Sequence, residues 1–521
     1  MVFICFVTNG TERNVFPVSE VPPTPDQINI LPSALNLNIY PKSTKKQSQN
    51  LPSFSVSSFG ARGDGIEDDT QSIQKAIDAA HAAGGGIVVF QAGEYKIKIQ
   101  ANLSIGLKIY SNIVLQGQGY QKSTIKIAGQ QENYDSMIAG ASPSSDLSNF
   151  SAHNLTIDGN SQSSQVYAEN DFKNSKFRYA IRIFAGRNIN IDGCRFQNFN
   201  NVNVITTNGS EVSDVEIRNN RFERIGGGSV DHDHSTIYMH GVNGRIIDNI
   251  FLSRDGAGTK GARTAIEIHG DAHIVSGNKI TGFTNGIFIT GYAISSRNQV
   301  VVNNNIQDVH SGIVIWAYFS ENNKPEIAVE NCMISNNKIS INVVAWRPLF
   351  GDSPNQGIGL EANSNASIKD IKIFKNQINF INNDTGRPTD TLANGINLWR
   401  YKFPKVLSHN IYIYQNRITN SLSSGIYIAM PIDKLEILDN EIINSGQTKQ
   451  NFDKNYYSAM IVGVNKNILA IKNNIFVDDQ PKNTLRLGIV LTGVCSSTCI
   501  EENNKLKIKS GANIPLLTRV N

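Results

Sequence analysis

A short unit of alternating apolar and polar residues recurs along most of this chain, and it restricts the fold more than any other feature. Each copy reads apolar-x-apolar and is followed, a few residues on, by an asparagine and another apolar residue. Clear copies are Val215–Phe222, Ile274–Ile280, Ile371–Ile378, Ile411–Ile418, Leu435–Ile442 and Leu469–Phe476. Segments of the type Gly-Ile-x-Ile alternate with them, beginning at Gly286, Gly312, Gly357, Gly395 and Gly425. Short strands at a repeated spacing, without helices between them, predict a β-solenoid whose coils bury their apolar faces against each other.

The start of the solenoid is predicted to carry a capping helix. A strand pattern begins near residue 53, and Asp69 or Thr70 is a candidate N-cap for a helix at about 69–83. Apolar residues follow the helical period there, at Ile73, Ala76, Ile77 and Ala80. Residues 53–521 are thus predicted to form one elongated all-β domain, whereas the Pro/Ser-rich residues 1–52 are predicted to be an extended arm.

Composition excludes several classes of function. The net charge is +4 with no block of lysine or arginine, so nothing indicates a nucleic-acid partner. No apolar run is long enough to span a bilayer. The pair Cys495 and Cys499 lacks a second pair to complete a zinc site, and is read either as a small disulfide or as two free thiols. No metal or other cofactor is predicted. The segment Met1–Phe6 is apolar but lacks the positively charged start and the apolar length of a signal peptide.

Titratable side chains are concentrated between Asp231 and His269. The segment contains Asp-His-Asp-His at 231–234, Tyr238 and His240, then Glu267 and His269. A zinc site built on 231–234 is a weak alternative, because adjacent residues cannot all turn to one ion.

Strand alternation predicts which side chains leave the core. In each coil the isoleucines face inward and the residues between them face solvent. One predicted outward lane contains Arg182, Asn203, Tyr238, Glu267, Phe288, Val314, Gly359, Asn397 and Tyr427. A second contains Phe184, Ile205, His240, His269, Thr290, Trp316, Glu361 and Trp399. With coils about 4.8 Å apart, Tyr238, His240, Glu267 and His269 are expected to form one solvent-facing patch, beside the turn that contains residues 231–234.

The motifs at the start of the solenoid resemble a known group of proteins. Phe59-Gly-Ala-Arg-Gly-Asp-Gly-x-x-Asp-Asp-Thr-x-x-Ile-Gln74, the Gly-rich segment 84–95 and the Asn-rich coils are similar to the pectate-lyase-like right-handed parallel β-helix superfamily. That superfamily includes polygalacturonases, pectate lyases, alginate-active lyases and epimerases, and phage tailspike depolymerases. The resemblance implies a single-stranded right-handed parallel β-helix that acts on polysaccharides, but one scaffold serves several chemistries.

Two chemistries suit the predicted patch. Glycoside hydrolysis needs paired carboxyl groups, which Glu267 with Asp231 or Asp233 would supply. Elimination or epimerisation of a uronate polymer instead needs a base and an acid near the carbon alpha to the carboxylate, together with a cation. His240 or His269, Tyr238 and Arg182 fit those roles. The other predicted substrate-binding residues are His234, Trp316, Glu361, Trp399 and Arg400, because indole faces suit the apolar faces of sugars.

Departures from the superfamily narrow the choice. The polygalacturonase motifs Asn-Thr-Asp, Gly-His-Gly and Arg-Ile-Lys are missing, and Asp-Asp occurs only at 68–69 and 478–479, which argues against pectin hydrolysis. Calcium-dependent pectate lyases group several aspartates on one outward face. The predicted outward lanes contain no such group, which argues against that activity. The alginate epimerases carry Asp-x-His on an outward strand, of which Tyr238-x-His240 keeps only the histidine.

The sequence therefore predicts an extracellular or secreted enzyme that degrades polysaccharides, with glycoside hydrolysis slightly favoured. A polysaccharide lyase or C5-epimerase acting by proton abstraction is the first alternative. A non-catalytic carbohydrate-binding protein such as a virion-associated tail adhesin is the second. The predicted partner is a polysaccharide substrate. For the oligomeric state, the sequence is compatible with a monomer and with a trimer. Insertions at 341–356 and 379–394 are predicted to form loops beside the groove.

Overall fold

The computed structural model of the chain describes most residues from Leu51 onward. The described ranges are 51–99, 104–129, 134–142, 144–160, 179–200, 203–226, 235–253, 263–292, 294–319, 326–350, 355–381, 393–400, 406–447, 457–463, 466–481, 484–493 and 495–520. The predicted arm at 1–52 lies almost entirely outside them, and so do Asp231, Asp233 and His234. The arm therefore stays a prediction.

Parallel strands, most of them short, make up the larger part of the described structure, together with the α-helices α1 (Thr70–Ala82) and α2 (Val343–Phe350) and a 3-10 turn at Val56–Phe59. The strands up to residue 226 are β1 Ser53–Ser55, β2 Asp64–Asp68, β3 Gly86–Phe90, β4 Gly93–Ile97, β5 Ile105–Ile109, β6 Ile113–Gly117, β7 Ser123–Ile127, β8 Ser136–Gly140, β9 Ser151–His153, β10 Thr156–Asp158, β11 Tyr179–Asp192, β12 Arg195–Asn200, β13 Ile205–Arg218 and β14 Arg221–Gly226. The next are β15 Ser235–Met239, β16 Arg245–Ile247, β17 Ile250–Ser253, β18 Thr264–Ile268, β19 Ile274–Ser276, β20 Lys279–Thr281, β21 Asn285–Tyr292, β22 Ser296–Arg297, β23 Val300–Val302, β24 Asn305–Val309, β25 Ser311–Tyr318, β26 Glu326–Ser335, β27 Lys338–Asn342, β28 Asn355–Ala362, β29 Ala366–Phe374 and β30 Gln377–Ile381. The last are β31 Ala393–Arg400, β32 His409–Tyr414, β33 Arg417–Thr419, β34 Ile426–Ile428, β35 Lys434–Leu438, β36 Glu441–Ile443, β37 Ser458–Gly463, β38 Lys466–Lys472, β39 Ile475–Asp478, β40 Leu487–Thr492, β41 Cys495–Glu502, β42 Lys505–Ile508 and β43 Leu517–Val520.

Strands of successive coils stack in three parallel columns, which confirms the predicted right-handed parallel β-helix. The column that matters for function is called the site face here. It consists of β5, β8, β11, β13, β15, β18, β21, β25, β28, β31, β34, β37, β40 and β43. The long strands β11 and β13 continue from this face into the second column. Because every register is parallel, a residue at one position of a coil lies beside its equivalent in the next coil.

The asparagines of the repeated unit form a continuous buried ladder at one corner of the helix. Each amide nitrogen, except that of the last member Asn504, donates to the amide oxygen of the asparagine one coil further on, at 3.0 Å. The members are Asn220, Asn249, Asn278, Asn304, Asn337, Asn376, Asn416, Asn440, Asn474 and Asn504. The same amides also satisfy backbone groups at the corner, as buried polar groups require. The ladder therefore fixes the coil register that aligns the site face.

Helix α1 covers the start of the core as predicted, with Ile73, Ala76, Ile77 and Ala80 buried. Its N-cap residue is Asp69, but the expected capping hydrogen bond is absent. The Asp69 carboxylate instead accepts from the backbone N–H groups of Arg62 and Gly63, at 2.7 and 3.0 Å. This aspartate therefore ties the preceding loop to the helix.

Two further expectations are resolved by the structure. The insertion at 341–356 was expected to be a loop, but it contains helix α2, whose Trp346 is buried and donates to the Asp308 carbonyl oxygen at 3.0 Å. The buried indole and its hydrogen bond anchor this segment to β24. Cys499 is disulfide-bonded, whereas Cys194 and Cys332 are buried free thiols.

Candidate active site

Four of the predicted catalytic residues meet on two neighbouring strands of the site face. Tyr238 in β15 is the direct register partner of Glu267 in β18. His240 and His269 directly follow the ends of these strands, and their rings stack with centroids 4.1 Å apart. The Tyr238 ring lies 4.8 Å from the His269 ring. The parallel register thus assembles one compact cluster from two segments that are about thirty residues apart in the chain.

Tyr238 and His240 form the more accessible half of this cluster. The Tyr238 hydroxyl and His240 Nε2 share a hydrogen bond of 3.1 Å, and both side chains are half-buried. Burial, and after it the neighbouring His269, lower the pKa of His240 to about 3 against the opposing effect of Glu267. His240 is therefore a neutral imidazole near pH 7, with one unprotonated ring nitrogen.

Glu267 lies beneath that pair and is buried, with 7% of the residue exposed. Its Oε2 accepts from the Ser235 hydroxyl at 2.5 Å, and its Oε1 accepts from His269 Nε2 at 2.9 Å and from the Thr290 hydroxyl at 3.1 Å. Burial alone would raise the pKa of Glu267, but the hydrogen bond and charge of His269, with the two hydroxyls, hold this pKa below its usual value. Glu267 is thus an ionised acceptor of three hydrogen bonds.

The predicted solvent-facing character of Glu267 and His269 is therefore wrong. Only 3% of His269 is exposed. Strand alternation places both side chains outside the β-helix core, as predicted, but Tyr238, His240 and Thr290 cover them. Alternation predicts the direction in which a side chain leaves the backbone, and it does not predict what covers that side chain.

His273 supports the cluster from behind and was not identified from the sequence. Its Nε2 donates to the His269 carbonyl oxygen at 2.5 Å, and its Nδ1 accepts from the Gly244 N–H at 2.8 Å. The backbone donor at Nδ1 requires the neutral tautomer, and burial lowers the pKa of His273 to about 4. His269 Nδ1 is buried and has no hydrogen-bond partner among the described residues. The sequence around His273, Gly-x-x-His from Gly270, contains no pattern that predicts these hydrogen bonds.

Arg182 lies on the same face, two coils before Tyr238, with Thr206 between them in register. Its Nη1 forms an ion pair with Asp135 at 2.5 Å, and its guanidinium lies 4.2 Å from the Phe184 ring centroid. A cavity of about 230 Å³ adjoins this pair, lined also by Ser104 and Ala139. Arg182, which is predicted to bind substrate, thus lies in a pocket two coils from the cluster and is not part of the cluster.

At this coil the structure differs from the predicted outward lane, because Thr206 occupies the position between Arg182 and Tyr238. Asn203 was expected between Arg182 and Tyr238, but Asn203 is buried and its Oδ1 accepts from the Ser235 N–H at 2.8 Å. Ile205, expected to face outward, is a core residue paired with Ile181. The segment Asn-Val-Asn-Val-Ile fits alternation in two registers, so the sequence pattern does not determine which of its residues face outward.

The predicted aromatic lane is present further along the face. Thr290, Trp316, Glu361 and Trp399 are register partners in four successive coils. The side chains of Trp316, Glu361 and Trp399 are half-buried, and Gln356 Nε2 donates to Glu361 at 2.5 Å. These residues face the same side as the cluster.

Arg400 is turned away from this lane. Its guanidinium donates to the backbone carbonyl oxygens of Val406 and Ala366, at 2.9 and 3.0 Å. Burial lowers its pKa to about 10. The substrate-binding role predicted for Arg400 therefore has no support in its contacts, which join two turns of the backbone.

Within the described part of the chain, no group of three or more His, Cys, Asp or Glu side chains is arranged to hold a metal ion. The segment 231–234 lies outside that part, so the roles predicted for Asp231, Asp233 and His234 stay predictions. No helix among the described residues is long and apolar enough to cross a membrane.

Comparison with known families gives a match over half of the chain. The family model described as "Rhamnogalacturonase A/epimerase, pectate lyase-like" matches residues 53–314. This range contains helix α1, the Arg182 pocket and the whole Tyr238–His269 cluster.

Curated relatives match over a shorter stretch. Mannuronan C5-epimerase AlgE3 of Azotobacter vinelandii is 47% identical over 109 residues, which is 20% of this chain and 6% of that epimerase. Alginate lyase 7 of the same organism is 40% identical over 114 residues, which is 22% of this chain and 13% of that lyase. The chain thus spans only a small part of the length of either relative.

Solved structures match over nearly the whole chain. The tailspike protein of E. coli bacteriophage HK620, determined in complex with a pentasaccharide, superimposes with a TM-score of 0.53 at 17% identity. The match covers 88% of this chain and 78% of the tailspike. At this identity the likeness concerns the fold alone.

Proposed function

Since the chain belongs to the rhamnogalacturonase A/epimerase, pectate lyase-like family, we propose that it is a polysaccharide lyase that cleaves a uronate polymer by β-elimination. The observation that carries the proposal is the 3.1 Å hydrogen bond between the Tyr238 hydroxyl and a neutral His240. The proposal places the protein outside the cell, where such polymers occur, or on a virion that meets them there. The epimerase and lyase relatives support action on this class of substrate.

The reaction removes the C5 proton, alpha to the uronate carboxylate, and breaks the bond from C4 to the glycosidic oxygen. The electron pair of the C5–H bond forms the C4=C5 double bond, and the leaving oxygen takes up a proton. In the proposed mechanism one member of the Tyr238–His240 pair removes the C5 proton and the other delivers a proton to the leaving oxygen. Arg182 is proposed to bind a carboxylate of the same polymer two coils away, where it already holds Asp135.

The arrangement of the pair favours elimination over epimerisation. Tyr238 and His240 project from one strand end and are hydrogen-bonded to each other, so they approach a sugar from the same side. Epimerisation at C5 requires a proton to be removed from one face of the ring and returned to the opposite face. Syn elimination, in which the C5 proton and the leaving oxygen lie on the same face of the ring as they do in mannuronate, needs both groups on one side only.

Hydrolysis, the reaction slightly favoured by the sequence, has less support from the described residues. A hydrolase needs a protonated carboxylic acid beside the glycosidic oxygen. The pKa of Glu267 is lowered and its oxygens accept three hydrogen bonds, so Glu267 does not suit that role. Hydrolysis therefore depends on Asp231 or Asp233, outside the described residues.

The test incubates the protein with alginate and with polygalacturonate and follows reducing ends and unsaturated-uronate absorbance together. Elimination predicts that both signals rise in step. Tyr238→Phe removes the acidic hydroxyl and should reduce the rate at least about 100-fold, while binding of the polymer persists. Tyr427→Phe is the matched control, since Tyr427 occupies the same register position six coils further on. Reducing ends without absorbance would contradict elimination, and binding without either signal would favour an adhesin.

A further inference from the structure

Three aromatic rings lie together on the site face next to the cluster. They belong to Tyr292 at the end of β21 and to Trp316 and Tyr318 near the end of β25. Tyr292 is 51% exposed, and the other two side chains are half-buried. Tyr292 and Tyr318 are direct register partners.

The centroids of the three rings form a triangle and not a column. The centroid distances are 6.0 Å from Tyr292 to Trp316, 5.7 Å from Tyr292 to Tyr318 and 5.3 Å from Trp316 to Tyr318. All three interplanar angles are 26° or less. Three nearly parallel rings whose centroids form a near-equilateral triangle cannot be stacked face to face along one line. Their centroids are therefore offset sideways from one another, and the three rings form one aromatic group of which Tyr292 is the exposed member.

The position of this aromatic platform connects it to the proposed active site. Thr290, which donates to Glu267, is the direct register partner of Trp316. Val314, two residues before Trp316, stands two coils from Glu267, through Phe288. Two coils span about 10 Å along the axis, so a sugar chain that reacts at Tyr238 and runs along the face would reach the platform within a few residues.

We propose that Tyr292, Trp316 and Tyr318 form a sugar-stacking subsite that binds the part of the polysaccharide beyond the reacting residue. The ligand it suits is a pyranose whose apolar C–H face lies flat on the rings. Glu361 is the register partner of Trp316 in the next coil, so the sugar bound here turns its hydroxyl groups, and not a carboxylate, toward that side. The inference rests on the proposed action on a polysaccharide and concerns the length of chain that is bound.

The test measures binding separately from turnover. In a Tyr238→Phe background, affinities for alginate oligomers and polygalacturonate oligomers from disaccharide to octasaccharide are measured by isothermal titration calorimetry. Affinity should rise with length once an oligomer reaches the platform. Adding Trp316→Ala and Tyr318→Ala should weaken binding of the longest oligomer by roughly tenfold or more, and should leave binding of the shortest one unchanged. Tyr292→Ala should act in the same direction.

The matched control is Tyr414→Ala. Tyr414 stacks on Phe374 with centroids 4.7 Å apart, in strands β29 and β32 of the second column. Its loss should not change binding at any length. Unchanged octasaccharide binding in the platform variant, equal weakening at every length, or no binding of any oligomer by the parent would each overturn the proposal. Length-dependent binding that needs the platform, in a protein whose wild type shows no turnover, would uphold the subsite and contradict the lyase function.

Discussion

Glu267 is the residue on which the shape of the cluster depends, because three donors converge on its buried carboxylate. Glu267→Gln replaces the ionised acceptor with a neutral amide of the same shape, so one amide N–H₂ must face a donor. Hydrogen bonds to charged groups contribute about 1.5 to 3 kcal/mol, and we expect the free energy of unfolding in urea to fall by about that amount. Glu67→Gln is the control, since Glu67 is exposed in a surface ion pair with Arg62 and should change little. An equal effect of the two substitutions would contradict the assigned role of Glu267.

The same cluster predicts how stability depends on pH. The pKa of His240 is lowered to about 3 and that of His273 to about 4, against about 6.5 for a histidine in an unfolded chain. As the pH falls from about 7 toward 4, the unfolded chain takes up protons that the folded chain does not, so the free energy of unfolding decreases. The lowered pKa of Glu267 adds a loss of the same sign at lower pH.

This dependence is measured by urea unfolding at pH 7 and pH 5 for the wild type and for His240→Asn. The variant has one fewer histidine with a lowered pKa, and we expect it to lose less stability between the two pH values. If both proteins lose the same amount, His240 is not held neutral in the folded protein.

At the scale of the structural element, the asparagine ladder holds neighbouring coils in register. Asn278 Oδ1 accepts from both the backbone N–H and the side-chain amide of Asn249, each at 3.0 Å. Asn278→Ala leaves the buried backbone N–H and one of the two side-chain N–H groups of Asn249 unsatisfied, and we expect a loss of roughly 2 to 5 kcal/mol in the free energy of unfolding. Lys279→Ala, at the exposed next position, is the control and should be nearly neutral. A small effect at Asn278 would mean that the ladder contributes little to coil register.

The sequence predicts this element scale well, because a period of two and a repeated asparagine are visible without knowledge of the packing. It therefore identified helix α1, the recurring asparagines and the outward positions of Tyr238 and Glu267. It did not identify Ser235, Thr290 and His273, whose roles arise only when coils are stacked and a hydroxyl or a ring reaches across to the next strand. Alternation extended by two residues from Thr290 and Trp316 would have found Tyr292 and Tyr318.

At the scale of the whole molecule, the β-helix provides one long face on which the Arg182 pocket, the Tyr238–His269 cluster and the aromatic platform follow one another. Five coil steps, about 24 Å, separate the register positions of Arg182 and Val314. A linear polymer bound along the axis would contact all three sites at once. This arrangement suits an enzyme that acts within a chain more than one that acts on a single sugar, although the scaffold itself serves several chemistries.

The most direct measurement is a proton NMR time course of polymannuronate and of polygalacturonate incubated with the wild-type protein in D₂O. β-Elimination predicts that signals of a C4=C5 unsaturated uronate end appear in proportion to chain breaks, with no deuterium at C5 of the residual polymer, and that Tyr238→Phe abolishes them. New reducing ends without the unsaturated signals would contradict the proposal in favour of hydrolysis. Deuterium at C5 without chain breaks would contradict it in favour of epimerisation.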